Sequence, residues 1–355
     1  MKKTLVLKVN AQKPETEKIR IAANIIKRGG LVAFPTETVY GLGADALNEK
    51  AVLALFKAKN RPLDNPPIVH VGDIENVYKL AKKVPSKAEK LMKIFWPGPL
   101  TLIFRRLEIV PEVTVAGLDT VAVRMPRHNV ALALIRESNC PIAAPSANLA
   151  GKPSPTTAKH VLDDLNGRID AVLDAGPTHI GVESTVLDMT VEPPQILRPG
   201  GTSYEELSEV LGVVGLHPVA VAEKPVSLKK ARSPGMKHKH YAPNADLIVV
   251  EGEVSAVSEK VKELAAFYMG KGSKVGILAT DETVGGYRAN VVKSLGSRGN
   301  LEAIAKNLFR LLREFDFEGV DVIIAEGVPT QGLGLAVMNR LRKASGYSIV
   351  KANRH

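Results

Sequence analysis

Between Glu17 and Lys27 apolar residues fall at Ile19, Ala22, Ala23, Ile25 and Ile26, the three-and-four spacing of a helix that buries one face. Gly29-Gly30 follows and offers the left-handed residue that commonly ends such a helix. Leu31 to Phe34 then reads as a short buried strand, and Pro35-Thr-Glu-Thr-Val-Tyr-Gly-Leu-Gly as a glycine-punctuated loop at its carboxyl end, a usual place for chemistry in an α/β fold. The pattern continues with a helix near Ala51 to Lys57 and strands at Ile68 to Val71, Thr101 to Phe104, Val121 to Arg124 and Ile142 to Ala144, with helices between several of them. Strands at Val172 to Asp174, Ser184 to Asp188 and Gln195 to Arg198 follow with little helix between. A mixed, twisted sheet is therefore expected up to about Gly212.

From Val213 to Asn244 periodicity fades, and four prolines and six Lys or Arg stand against one acid, Glu223; this predicts a linker over 213–244. Alternation restarts at Leu247. Strands at Leu247 to Val250, Val275 to Leu278 and Val322 to Ala325, helices at about Val254 to Tyr268 and Leu301 to Phe315, and a last helix over Leu335 to Lys343 predict a smaller doubly wound, Rossmann-like domain with a mainly parallel sheet over 245–355. The length of 355 residues exceeds what one hydrophobic core usually serves, in keeping with two α/β domains, 1–212 and 245–355.

Composition changes this picture little: 45% hydrophobic and 24% charged residues are ordinary for a chain folded nearly throughout. The net charge of +11 attracts anions, but charge alone does not separate nucleic-acid binding from a basic solvated surface. Cys140 is the single cysteine, so neither an intramolecular disulfide nor a cysteine-based zinc site is open to the chain; a reducing compartment and a small, buried, inert thiol are expected. The N-terminus lacks a signal-peptide core and no run of about eighteen apolar residues occurs, so a cytoplasmic protein without membrane insertion is expected.

Common phosphate-binding signatures fail. There is no Walker loop, and Gly332-Leu-Gly334 reads as a flexible start to the final helix. The histidines form no metal-binding spacing, so no protein-bound metal is expected. Two segments stand out. In Lys59-Asn-Arg61-Pro-Leu-Asp-Asn65-Pro-Pro-Ile-Val-His70, two cations two residues apart in extended chain would point the same way and suit a polyphosphate; a solvated charged loop would read the same. In Ala144-Pro-Ser146-Ala-Asn148, hydroxyl and amide follow an apolar strand, as they also would in a simple turn.

Together Lys59-x-Arg61 and Ser146-x-Asn148 resemble the signature of the YrdC-like family of threonylcarbamoyl-AMP synthases. Pro35-Thr-Glu-Thr-Val-Tyr-Gly-Leu, Asn65-Pro-Pro-Ile-Val-His, Trp96-Pro-Gly-Pro-Leu-Thr, Val121-Ala-Val-Arg-Met-Pro, Ser184-Thr-Val and Leu197-Arg-Pro-Gly match as well. Ser233-Pro-Gly-Met-Lys-His-Lys-His-Tyr-Ala-Pro and Gly332-Leu-Gly-Leu-Ala-Val-Met-Asn-Arg-Leu resemble the long, two-domain form. The one departure noted is Pro67, where an aliphatic residue is expected.

The resemblance implies an L-threonylcarbamoyladenylate synthase: the threonine amine is carboxylated, the carbamate attacks the α-phosphorus of ATP, and pyrophosphate leaves. The nucleophile is then the substrate's own, consistent with the lack of a Ser-His or Cys-His pair. Carried over by position, Lys59 and Arg61 are the catalytic cations on the phosphates, and Asn65, Thr120, Ser146, Ser154 and Arg198 complete the ATP side. Thr38, His70, Arg124, Ala144 and Ser184 would surround threonine. Mg2+ would arrive with ATP. The linker motif is expected to fold over the first domain so that Tyr241 reaches the nucleotide. The product would pass to a tRNA threonylcarbamoyl transferase complex, and the positive charge would allow weak tRNA binding. The rival class is a tRNA or double-stranded RNA binding module without catalysis, which predicts aromatic platforms that 5% aromatic residues and the absence of stacked motifs disfavour. Hydrogenase-maturation carbamoyltransferases share the domain but carry cysteine-rich zinc motifs that one cysteine cannot supply.

Overall fold

A computed structural model describes residues 3–226 and 240–352. Contacts divide these into two compact units, one of residues 3–150 and 154–220, the other of residues 151–153, 221–226 and 240–352.

The first unit runs β1 (Leu5–Lys8), α1 (Thr16–Lys27), β2 (Val32–Pro35), β3 (Tyr40–Asp45), α2 (Glu49–Lys59), β4 (Val69–His70), α3 (Ser86–Phe95), β5 (Leu100–Arg105), β6 (Thr120–Arg124), α4 (Asn129–Ser138), β7 (Ile142–Ala143), α5 (Ala158–Leu165), β8 (Ala171–Asp174), β9 (Thr185–Asp188), β10 (Gln195–Arg198), α6 (Tyr204–Leu211), β11 (Gly215–Leu216) and a short α7 (Pro218–Val221). The strands form one mixed sheet in the order β1-β8-β2-β3-β7-β4-β6-β5-β9-β10-β11. Successive strand residues face opposite sides: Val32 and Phe34 pack with α1 and α4, whereas Ala33 between them packs with α2 and α5. Burial on both faces explains why these strands read as continuous apolar runs.

Several expectations change. The stretch read as a glycine-rich loop is largely the strand β3, paired antiparallel to β2 (Val32↔Gly43, Phe34↔Gly41) and to β7 (Ala44↔Ala143). Gly43 is there for closeness rather than freedom, since a Cβ on it would stand 2.8 Å from Ile142 and 2.9 Å from the Phe34 ring. Nor are Lys59 and Arg61 on extended chain. Lys59 is the last residue of α2, Asn60 caps it in the left-handed conformation at φ 51°, and Arg61 follows the reversal. Lys57, Ala58 and Lys59 all favour helix, and Asn tolerates the left-handed region.

The stretch read as linker begins inside the first unit, where β11 adds to β10 in parallel (Gln195↔Gly215). The second unit runs β12 (Asp246–Gly252), α8 (Val254–Gly270), β13 (Val275–Ala279), β14 (Val291–Ser294), α9 (Leu301–Glu318), β15 (Val322–Glu326), α10 (Leu333–Ala344) and β16 (Ile349–Ala352). Its sheet, in the order β14-β13-β15-β12-β16, is parallel throughout. Gly334, the second residue of α10 rather than part of a lead-in, is required by close approach: a Cβ on it would fall 1.8 Å from the carbonyl oxygen of Pro329.

Candidate active site

The two halves of the sequence signature meet. Lys59, only 1% exposed, extends its ammonium to the main-chain carbonyls of Ser146 and Asn148, and the amide of Ala150 donates to the Lys59 carbonyl (2.9 Å). Beyond the helix cap, Arg61 Nε donates to the Asn65 carbonyl (2.9 Å) and Nη2 to that of Pro66 (3.2 Å). The loop after β7 is stitched to β3, with Ala147 N donating to Tyr40 O and Leu42 N to Pro145 O, both at 2.8 Å. The Lys59 ammonium is therefore seated on a loop whose backbone the sheet fixes.

A second cluster gathers at the end of β6. Arg124, 4% exposed, donates through Nε to Gly98 O and through Nη1 to Thr38 Oγ1, each at 3.1 Å. Its Nη2 lies 2.8 Å from Glu37 Oε2. Parallel pairing of β4 with β6 sets His70 opposite Arg124, and Ala144 N, one residue past β7, donates to Ile68 O (2.8 Å). The Glu37 and Thr38 carbonyls accept from the amides of Ile180 and Gly181, at 2.8 and 3.1 Å.

The third cluster surrounds Ser184, just before β9. Ser184 Oγ shares a hydrogen bond with Thr101 Oγ1 (2.8 Å). Arg198 donates to the Ser184 carbonyl through Nη2 (2.9 Å) and Nε (3.2 Å). Ser154 Oγ donates to Glu183 Oε1 (2.5 Å). Parallel pairing of β5 with β9 (Leu100↔Thr185) brings this cluster beside Gly98 and Arg124.

The first-unit site residues read from sequence are thus brought into neighbouring clusters, with one exception. Thr120 starts β6 and Arg124 ends it, so four residue steps of strand separate them by about 13 Å, and Thr120 pairs with Arg105. Tyr241 belongs to the second unit, its ring 5.3 Å from that of Phe309 and 5.6 Å from the Arg340 guanidinium. Residues 233–239 of its motif lie outside the described residues. Sequence reasoning passed over Glu37 and Glu183, which the structure buries beside Arg124 and Ser154; Glu37 had a signal, as the only charge between Leu31 and Ala44.

Burial pushes the His70 pKa down to about 3, and the charge of Arg124 acts in the same direction, so His70 is neutral at pH 7. The unfolded chain binds a proton near pH 6.5. Between that pH and about 3 it holds one proton more than the folded chain, and stability must fall as pH falls. The wild type is expected to lose about 1.4 kcal/mol per pH unit below 6.5 from this residue, a loss missing in His70→Asn. Urea midpoints at pH 7 and pH 5 check this; equal pH sensitivity in both proteins would contradict it. Burial, with Asp45 nearby, raises the Cys140 thiol to about 12, and the half-buried residue lies against the α1–α4 core, as an inert thiol should.

Among the described residues no three His, Cys, Asp or Glu side chains are grouped to hold a metal, and no helix is long and apolar enough to cross a membrane.

Residues 24–200 match the Sua5/YciO/YrdC family, described as telomere recombination, and residues 202–346 match the threonylcarbamoyl-AMP synthase C-terminal domain. The chain is 54% identical to the threonylcarbamoyl-AMP synthase of Pyrococcus abyssi, over 98% of this chain and 99% of that one. It is 51% identical to that of Bacillus subtilis, over 93% of each. The crystal structure of Pyrococcus abyssi Sua5 complexed with L-threonine superposes with a TM-score of 0.94 at 54% identity, covering 99% of this chain and 100% of the other.

Proposed function

We infer that this chain, which belongs to the Sua5/YciO/YrdC family and carries the C-terminal domain of threonylcarbamoyl-AMP synthases, makes threonylcarbamoyl-AMP and pyrophosphate from L-threonine, bicarbonate and ATP. The observation that carries this reading is a cationic segment around Lys59 and Arg61, tied through Lys59 to the loop after β7, together with a buried cluster of Arg124, Thr38 and Ser184, whose Arg124 ends β6, the strand that β4 joins to β7 in the sheet. The first suits phosphates, the second a small hydroxylated amino acid.

Catalysis on this reading needs alignment and charge rather than a protein nucleophile. Arg61, with Lys59, holds the phosphates; Asn65, Ser146, Ser154 and Arg198 line the nucleotide side, and Thr120 belongs there only if ATP reaches the far end of β6. Thr38, His70, Arg124, Ala144 and Ser184 hold threonine. Arg124 is pre-aimed by the Gly98 carbonyl, so little order remains to be gained when a carboxylate binds. Neutral His70 can accept a hydrogen bond from the substrate hydroxyl. An analogue lacking that hydroxyl leaves buried polar groups unpaired, which favours threonine. Mg2+, bound through the ATP phosphates, would neutralise charge on the leaving pyrophosphate. The product is suited to a cytoplasmic tRNA threonylcarbamoyl transferase complex, and a chain of +11 is suited to weak tRNA contact.

Purified protein is expected to release pyrophosphate from ATP only when threonine and bicarbonate are both present, with threonylcarbamoyl-AMP detected by mass. Release that ignores either substrate, or no release with tRNA binding retained, would overturn the assignment in favour of a binding module.

A further inference from the structure

Glu37 has no part in the site as read so far, yet its position is unusual. Its side chain is 5% exposed and that of Arg124 is 4% exposed. Burying an ion pair is tolerable when every remaining lone pair and proton is also hydrogen-bonded. Here that condition fails. Although 2.8 Å separates the charges, both Glu37 carboxylate oxygens and Arg124 Nη2 are fully buried and complete no hydrogen bond among the described residues. Buried polar atoms left in this state call for a physical explanation.

The backbone does not relieve the cost. The Ile180 amide on the Glu37 carbonyl and the Gly181 amide on the Thr38 carbonyl hold the 37–38 turn in place, and Arg124 is tethered on two other sides by Gly98 and Thr38. The two charged ends are therefore fixed side by side with hydrogen-bonding capacity unspent. A ligand that fits such a pair carries one cation and one anion a few ångströms apart, as the ammonium and carboxylate of an α-amino acid do.

We propose that Glu37 is the recognition residue for the α-ammonium group of threonine, acting beside Arg124 on the carboxylate. The proposal rests on the threonine site proposed above and deepens it. Ammonium donors would satisfy the Glu37 oxygens and the substrate carboxylate would accept from Arg124 Nη2, turning an incompletely bonded pair into four alternating charges. The site would then select for a free α-amino group before that group is carboxylated.

The test uses the full chain and two ligands, L-threonine and 3-hydroxybutyrate, which lacks only the amine. Calorimetry on the wild type should show threonine binding at least about tenfold tighter, the scale of one charge-assisted hydrogen bond. Glu37→Gln should weaken threonine by about tenfold to a hundredfold, leave 3-hydroxybutyrate and ATP affinities within about twofold, and raise the threonine KM far more than it lowers kcat; Glu37→Asp should restore part of the loss. Equal weakening of threonine and 3-hydroxybutyrate would mean that Glu37 acts only through Arg124, and unchanged threonine affinity would make it a structural partner; either result overturns the proposal. Should Glu37→Gln fail to fold, the wild-type comparison still decides, because less than threefold preference for threonine over its deaminated analogue excludes an ammonium contact. Threonine-dependent pyrophosphate release by the wild type stands through each of these outcomes, so a failure at Glu37 is distinct from a failure of the synthase reading.

Discussion

Arg124→Ala is expected to lower the stability of the first unit by about 3–5 kcal/mol, the range seen when one partner of a buried ion pair is removed, and to reduce threonine binding below detection. The magnitude follows from what is left behind. Glu37 would remain a buried charge without its counter-ion, Thr38 Oγ1 would lose a donor, and the Gly98 carbonyl another. Arg124→Lys should keep the charge but not the three-way fork, since an ammonium cannot serve carbonyl, hydroxyl and carboxylate in one plane. Chemical unfolding of both variants, followed by threonine titration, checks the expectation. A loss under about 1 kcal/mol with threonine affinity intact would mean that Arg124 is a replaceable packing residue.

Arg61→Ala should behave in the opposite way, with little loss of stability and a large loss of rate. Arg61 is partly exposed and donates to carbonyls of its own loop, those of Asn65 and Pro66, so its removal belongs with substitutions that cost under about 1 kcal/mol. If it holds phosphate in the transition state, kcat/KM for ATP should fall by about a hundredfold or more, as when one oriented donor is removed from a developing negative charge. Arg61→Lys would recover only part, because a point charge does not replace a bidentate donor. Pyrophosphate release against ATP concentration, with thermal unfolding as control, measures both quantities. Unchanged kinetics would place Arg61 on an idle solvated face.

The strands that sequence reading found and those it missed differ in one respect. β2, β8, β9 and β15 lie inside a sheet, are buried on both faces and show as apolar runs. β1, β11, β14 and β16 are the four sheet edges; with a neighbour on one side only they are partly exposed, and short stretches such as Val-Val-Lys-Ser or Ile-Val-Lys-Ala carry no distinctive period. β3 was missed for another reason. Its glycines read as breakers, and only the Phe34 ring and Ile142 packed against Gly43 explain why a central strand must carry them.

For the site, the chain itself determined which residue types stand ready: the Lys59-x-Arg61 and Ser146-x-Asn148 segments, the hydroxyls and the two arginines, because local motif spacing is a property of neighbours in sequence. What joins them is not local. Lys59 meets the carbonyl of Asn148 89 residues away, Arg124 meets Thr38 across 86, and Ser184 meets Thr101 across 83. Sheet order and register alone decide such contacts, and they bury Glu37 against Arg124. Isolated in the sequence, Glu37 is an ordinary acid in a polar turn. It becomes a charged group with incomplete hydrogen bonds only once the fold has removed water from both sides of the pair.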